Sequence, residues 1–112
     1  MQADKTGTTT IAPSVLNSIV RLTTLEVPGV SRMATTVKPV TIIAKRHDGE
    51  GVKVLVDNGR IFIDVYVVLD AKDNVRLVGE EIQARVKRAI SQMVGMEVAH
   101  INVHITDIDL EF

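Results

Sequence analysis

The sequence predicts an α+β fold: a two-layer sandwich of two helices on one face of a small, mostly antiparallel sheet, in the order β-α-β-β-α-β. Three observations carry this expectation. An Asn58-Gly59 pair separates two β-branched runs, two segments repeat apolar residues at helical intervals, and the stretch from His100 to Thr106 alternates polar with apolar.

The chain has 112 residues, the size of one domain; residues 1–7 are polar and read as a mobile tail, and residues 8–112 as the domain. Hydrophobic residues make up 46% of it, too many for a disordered chain. Aromatics are only Phe62, Phe112 and Tyr66, so the core must be built from Val, Ile and Leu. Net charge is −1 with both signs dispersed, which gives no field to draw the chain to nucleic acid or anionic lipid. Zero cysteines exclude disulfides and thiol chemistry and fit a reducing compartment. The opening "MQADKTGTTT" lacks the basic start and apolar run of a signal peptide. No apolar stretch approaches the roughly 20 residues that span a bilayer. A cytoplasmic domain without direct membrane insertion is expected.

A short β-prone run, Thr8 to Ile11, leads to Pro13, which suits the first turn of a helix because its missing N–H has no partner there. Leu16, Ile19, Val20, Thr23 and Val27 recur at three- and four-residue intervals, and Val15 and Leu22 widen the stripe. This predicts a helix from about Pro13 to Glu26, stopped by Pro28-Gly29. Residues 31–50 are least regular; Pro39 argues against a central strand, and a loop with edge-strand character is expected. Its Lys45, Arg46 and His47 are the one basic concentration in the chain, read as a solvated loop.

The segment "GVKVLVDNGRIFIDVYVVLD" carries the strongest local signal. Asn-Gly is the preferred pair for a two-residue type I′ turn, and that turn fixes the register. Asp57 then faces Arg60, Val56 faces Ile61, Leu55 faces Phe62, Val54 faces Ile63, Lys53 faces Asp64 and Val52 faces Val65. Opposed residues share a face. One face gathers Val52, Val54, Val56, Ile61, Ile63, Val65, Val67 and Leu69; the other carries two opposite-charge pairs around Leu55 and Phe62. A slip by one residue scrambles both faces. Lys53 directly across the ladder accounts for Asp64 as half of a structural pair rather than a catalytic carboxylate.

A second amphipathic helix is predicted from about Val75 to Val94, with Val75, Val78, Ile82, Val86, Ala89, Ile90 and Met93 as its stripe. Asp73 or Asn74 is placed to cap it, Gly95 suits its C-terminal end, and Glu81 precedes Arg85 by four residues. The final strand places Ile101, Val103 and Ile105 on one face and His100, Asn102, His104 and Thr106 on the other. Apolar parity then switches to Ile108, Leu110 and Phe112, so a bulge or break is expected near Thr106–Asp107.

The two histidines of that strand test for a metal site. Four residues apart on a strand they lie about 13 Å apart, too far for one zinc with bonds near 2.0–2.1 Å. They are read as polar-face residues, with no metal, cofactor-binding or catalytic site expected. No glycine-rich phosphate loop or nucleophile elbow is present in the sequence. The hairpin face opposite the core instead carries Leu55, Phe62, Tyr66 and Val68, joined by His100 and His104 if the last strand enters the same sheet. That is more apolar surface than a monomer leaves in water, and it marks a candidate interaction surface for a homo-oligomer.

Three segments together resemble the alkaline shock protein family of bacterial cell-envelope and general-stress proteins: "IAPSVLNSIVRLTTLEVPGV" at 11–30, "GVKVLVDNGRIFIDVYVVLD" at 51–70 and "VGEEIQARVKRAISQMVGMEVAHINVHITDI" at 78–108. The resemblance implies a small cytoplasmic α+β domain without a catalytic centre, active in envelope stress response and envelope homeostasis. It also implies self-assembly and, for some members, a membrane-anchored protein partner at the inner face of the membrane. The alternative is a small RNA-binding α+β module using Lys45, Arg46 and Arg60, which fold analogy alone supports.

Overall fold

Asn58 and Gly59 both take left-handed backbone conformations, φ 53° and 77°, the pair of angles a type I′ turn needs. The turn joins β3 (Val52–Asp57) to β4 (Arg60–Asp70), and all six predicted pairs form, from Asp57↔Arg60 to Val52↔Val65. The computed structural model describes residues 10–34, 47–49 and 51–110. The expected 1–7 tail, the Lys45-Arg46 cluster, most of the 31–50 loop and Phe112 lie outside those residues.

β4 organises the sheet because it is long enough to serve three neighbours at once. Its first half pairs antiparallel with β3, and its last residues pair antiparallel with β1 (Val30–Met33). The two partners meet end to end at Tyr66, whose carbonyl accepts from the Ala34 N–H at 2.9 Å and whose N–H donates to the Gly51 carbonyl at 2.8 Å. Gly51 holds φ 72°, and a Cβ there would stand 2.8 Å from the Tyr66 oxygen. β2 (His47–Gly49) pairs antiparallel with β3. β5 (Glu97–Asp109) runs parallel to β4 along its other side, from Arg60↔Glu97 to Asp70↔Asp109. The expected break near Thr106 is a bulge: Val67 faces Ile105 and Val68 faces Asp107, so Thr106 is the extra residue. A second bulge leaves Ala99 unpaired between Val98 and His100.

The helices are α1 (Pro13–Leu25) and α2 (Val75–Met93). Pro13 opens α1, while the Asn74 side chain caps α2 by accepting from the Leu77 N–H at 3.1 Å. Gly95 takes φ 77° just past the end of α2. Both helices bury one stripe on the same sheet face. Leu16 and Val20 of α1, Val27 just past its end, and Val78, Ile82, Val86 and Ile90 of α2 close over Val52, Val54, Ile61, Ile63, Val65, Val67 and Leu69. Each such side chain contributes about 1.5–3 kcal/mol by leaving water.

The fold class is the one predicted, a two-layer α+β sandwich with both helices on one side of a mostly antiparallel sheet. Among the described residues the elements run α1-β1-β2-β3-β4-α2-β5. Of the leading β-prone run, Thr8 and Thr9 lie outside the described residues, and Thr10 and Ile11 have no regular structure. The stripe of α1 is narrower than expected: Val15 and Leu22 are 46% and 54% exposed, and Thr24 rather than Thr23 is fully buried. Val56, at the turn end of β3, is also exposed, beyond the reach of the helices.

Candidate interaction surface

The sheet face opposite the helices is built by strand parity. Once β3 and β4 take the Asn58-Gly59 register, Lys53 and Leu55 come beside Phe62 and Asp64 on that face, with Tyr66 further along β4. β5 then adds His100, Asn102 and His104 in register with Phe62, Asp64 and Tyr66. Five of the six residues expected to form an interaction surface are thereby assembled on one accessible face. Val68 is the exception. Set between its register partners Arg32 on β1 and Asp107 on β5, it is only 4% exposed and contributes no surface.

Two rows of rings cross from β4 to β5. Phe62 and His100 have centroids 5.7 Å apart, and Tyr66 stacks on His104 at 4.4 Å with 12° between planes. Leu55, opposite Phe62, extends the first row and is 54% exposed. Two cations flank the rings: Lys53 Nζ lies 5.4 Å from the Tyr66 centroid and Arg60 Cζ 5.9 Å from that of Phe62.

Between the rows, Asp64 Oδ1 accepts from Asn102 Nδ2 at 3.2 Å and meets His104 Nε2 at 3.0 Å. This changes the expected role of the Lys53–Asp64 pair. The two residues do face each other, but the carboxylate turns to β5 and the ammonium to Tyr66. The arrival of β5 on the far side of β4 supplies donors that the hairpin sequence alone does not reveal. Lys53, Arg60, Asp64 and Asn102 therefore belong to this face as well, and their strand parity was the signal for them.

The Asp64–His104 dyad is open to water, with side chains 36% and 44% exposed, and it forms part of a surface rather than the floor of a cleft. Among the described residues no group of three or more His, Cys, Asp or Glu converges as metal ligands would. A separate groove of about 570 Å³ runs between the helices on the opposite side, lined by Leu22, Glu26, Arg85 and Met93 among others. No described helix is long and apolar enough to cross a membrane.

The class this architecture defines is a small two-layer α+β domain that presents an open sheet face of rings and flanking charges. The chain belongs to the alkaline shock protein 23 family, described as having a cell envelope-related function, whose profile matches residues 1–110. It is 34% identical over 110 residues to the uncharacterized protein YqhY of Bacillus subtilis (strain 168), covering 94% of this chain and 79% of that one. It is 30% identical over 112 residues to the uncharacterized protein Spy1535 of Streptococcus pyogenes serotype M6, covering 99% of this chain and 86% of that one. Solved structures of MamM CTD share the fold. A zinc form of one variant superposes with TM-score 0.57 at 14% identity, over 89% of this chain and 87% of that one. A second variant gives TM-score 0.56 at 12% identity, over 90% of this chain and all of that one.

Proposed function

We propose that the chain is a non-enzymatic protein of envelope homeostasis and envelope stress response, working through protein–protein contacts, self-association included, made by the open face of its sheet. The observation that carries this reading is the row Leu55–Phe62–His100, apolar and aromatic side chains side by side on a face that no described element covers. Burying such a row on a partner gains the transfer energy of its rings, and Arg60 and Lys53 at its flank supply orientation. The cell envelope-related function of the family supports the setting. On this reading the protein acts in the cytoplasm, held at the inner face of the membrane by a membrane-anchored protein partner, and needs no cofactor.

Light scattering over a concentration series tests it, comparing the wild type with Phe62→Glu and Leu55→Glu. The expected result is a wild-type mass that rises with concentration and variants that stay monomeric with unchanged circular dichroism. A wild type monomeric throughout overturns the self-association. Unfolding of Phe62→Glu while Leu55→Glu folds assigns Phe62 to structure rather than to contact. Retention on RNA at low salt that falls steeply with added salt is the result expected of the RNA-binding alternative.

A further inference from the structure

We propose that β5 is also a pairing edge, and that its occupant is β5 of a second copy of this chain, antiparallel and centred on Val103. This inference does not depend on the open face. β5 runs 13 residues, and among the described residues it pairs only with β4, so its outer side is a sheet edge. Edges are ordinarily protected by proline, by lysine or by brevity. β5 has no proline and no lysine between Glu97 and Asp109.

One hydrogen bond shows which residues present their backbone to that side. Gln83 Nε2, from α2, donates to the Ile101 carbonyl at 3.0 Å, so Ile101 faces outward. At the two-residue period of a strand, Val103 and Ile105 face outward too, whereas His100, Asn102 and His104 turn their backbone groups to β4. Between the bulges at Ala99 and Thr106 the outward backbone groups form a short ladder: Val103 and Ile105 lie clear of α2, and the Ile101 carbonyl, which already accepts from Gln83, keeps a second lone pair for a strand partner.

The side chains choose the partner and its alignment. About Val103 the sequence His-Ile-Asn-Val-His-Ile-Thr is nearly palindromic: Ile101 meets Ile105, Asn102 meets His104, and His100 meets Thr106 of the other copy. No like charges face each other within that span. Centring on Ile101 instead sets Glu97 against Ile105, and centring on Ile105 sets Asp107 and Asp109 against Val103 and Ile101. Centring on Asn102 or His104 also keeps like with like near the centre, but the first sets Ile105 against the bulged Ala99 and the second sets Ile101 against Asp107; the alignment on Val103 alone brings Ile101, Val103 and Ile105 all together. Beyond it the bulges and the acidic ends, Glu97 opposite Asp109, stop the pairing. A two-fold axis through Val103 stands perpendicular to the sheet, so both copies keep their helices on the same side. An interface of this length is smaller than the roughly 1,200 Å² of a stable complex, so the association is reversible and concentration-dependent.

Two measurements on the intact chain test the alignment. Amide exchange of the wild type, dilute and concentrated, is expected to slow about tenfold on concentration at Ile101, Val103 and Ile105. In the second, Asn102→Cys and His104→Cys variants are oxidised separately and mixed; the wild type has no cysteine to interfere. Directly opposed residues of a non-hydrogen-bonded pair stand about 4.5 Å apart, close enough for a disulfide. The mixture is expected to cross-link faster than either variant alone. Equal cross-linking in all three samples, or exchange at those amides unchanged by concentration, overturns the proposal. Repeating both in a Phe62→Glu background separates it from the face contact. Edge pairing survives that substitution, and its loss there assigns the association to the face and overturns the edge.

Discussion

Asp64 and His104 meet across the parallel boundary of β4 and β5, 3.0 Å between Oδ1 and Nε2, with the imidazole also stacked on Tyr66. Both side chains are more than a third exposed, so water screens the interaction. Alanine substitution of each and of both, followed by urea unfolding, is expected to give a coupling of about 0.5 kcal/mol. A coupling several times larger identifies the pair as more than a surface contact.

Gly51 and Gly59 share a left-handed backbone but differ in their surroundings. A Cβ at Gly59 meets nothing within 4 Å, whereas at Gly51 it stands 2.8 Å from the Tyr66 oxygen and 3.0 Å from that of Ala34. Gly59→Ala is expected to cost about 1 kcal/mol, the left-handed penalty alone. Gly51→Ala costs about 3 kcal/mol, because β1 and β3 must be pushed off β4 as well. Melting curves of the two variants side by side check the difference.

Thr24 is fully buried, and its hydroxyl has no hydrogen-bond partner among the described residues. Thr24→Val keeps the shape and removes an unpaired polar group from the core. It is expected to raise stability by about 1 kcal/mol in chemical denaturation.

Ile82 and Leu22 mark the two kinds of apolar helix position. Ile82 is wholly inaccessible, and Leu22 is 54% exposed beside the groove between the helices. Ile82→Ala is expected to cost about 2–5 kcal/mol and Leu22→Ala less than about 0.5 kcal/mol. Comparable losses at both sites place Leu22 in the core.

Much of this was legible in the sequence wherever a local rule fixes geometry. Asn58-Gly59 permits one tight turn, and from it every cross-strand pair of the hairpin follows. The switch of apolar parity after Ile105 marks the bulge at Thr106 for the same reason, since one unpaired residue reverses the faces. Position on the sheet is not local. Nothing in Val30–Met33 or His47–Gly49 announces a strand, because each is only three or four residues long and is held by its neighbour. The stripe of α1 misled at Leu22 because apolar spacing shows which residues share a side of a helix, not how far the sheet reaches beneath them. Lys53 does stand opposite Asp64 as the turn dictates, but the carboxylate's hydrogen bonds go to residues 38 and 40 positions away on β5, which the hairpin alone does not reveal.

Tyr66 is the chain's one tyrosine, and there is no tryptophan. Near-ultraviolet emission from this protein therefore arises from a single phenol, packed against one imidazole on the side where contact is proposed. The molecule carries its own optical label at that spot, and quenching or brightening of it follows occupancy there without any attached dye.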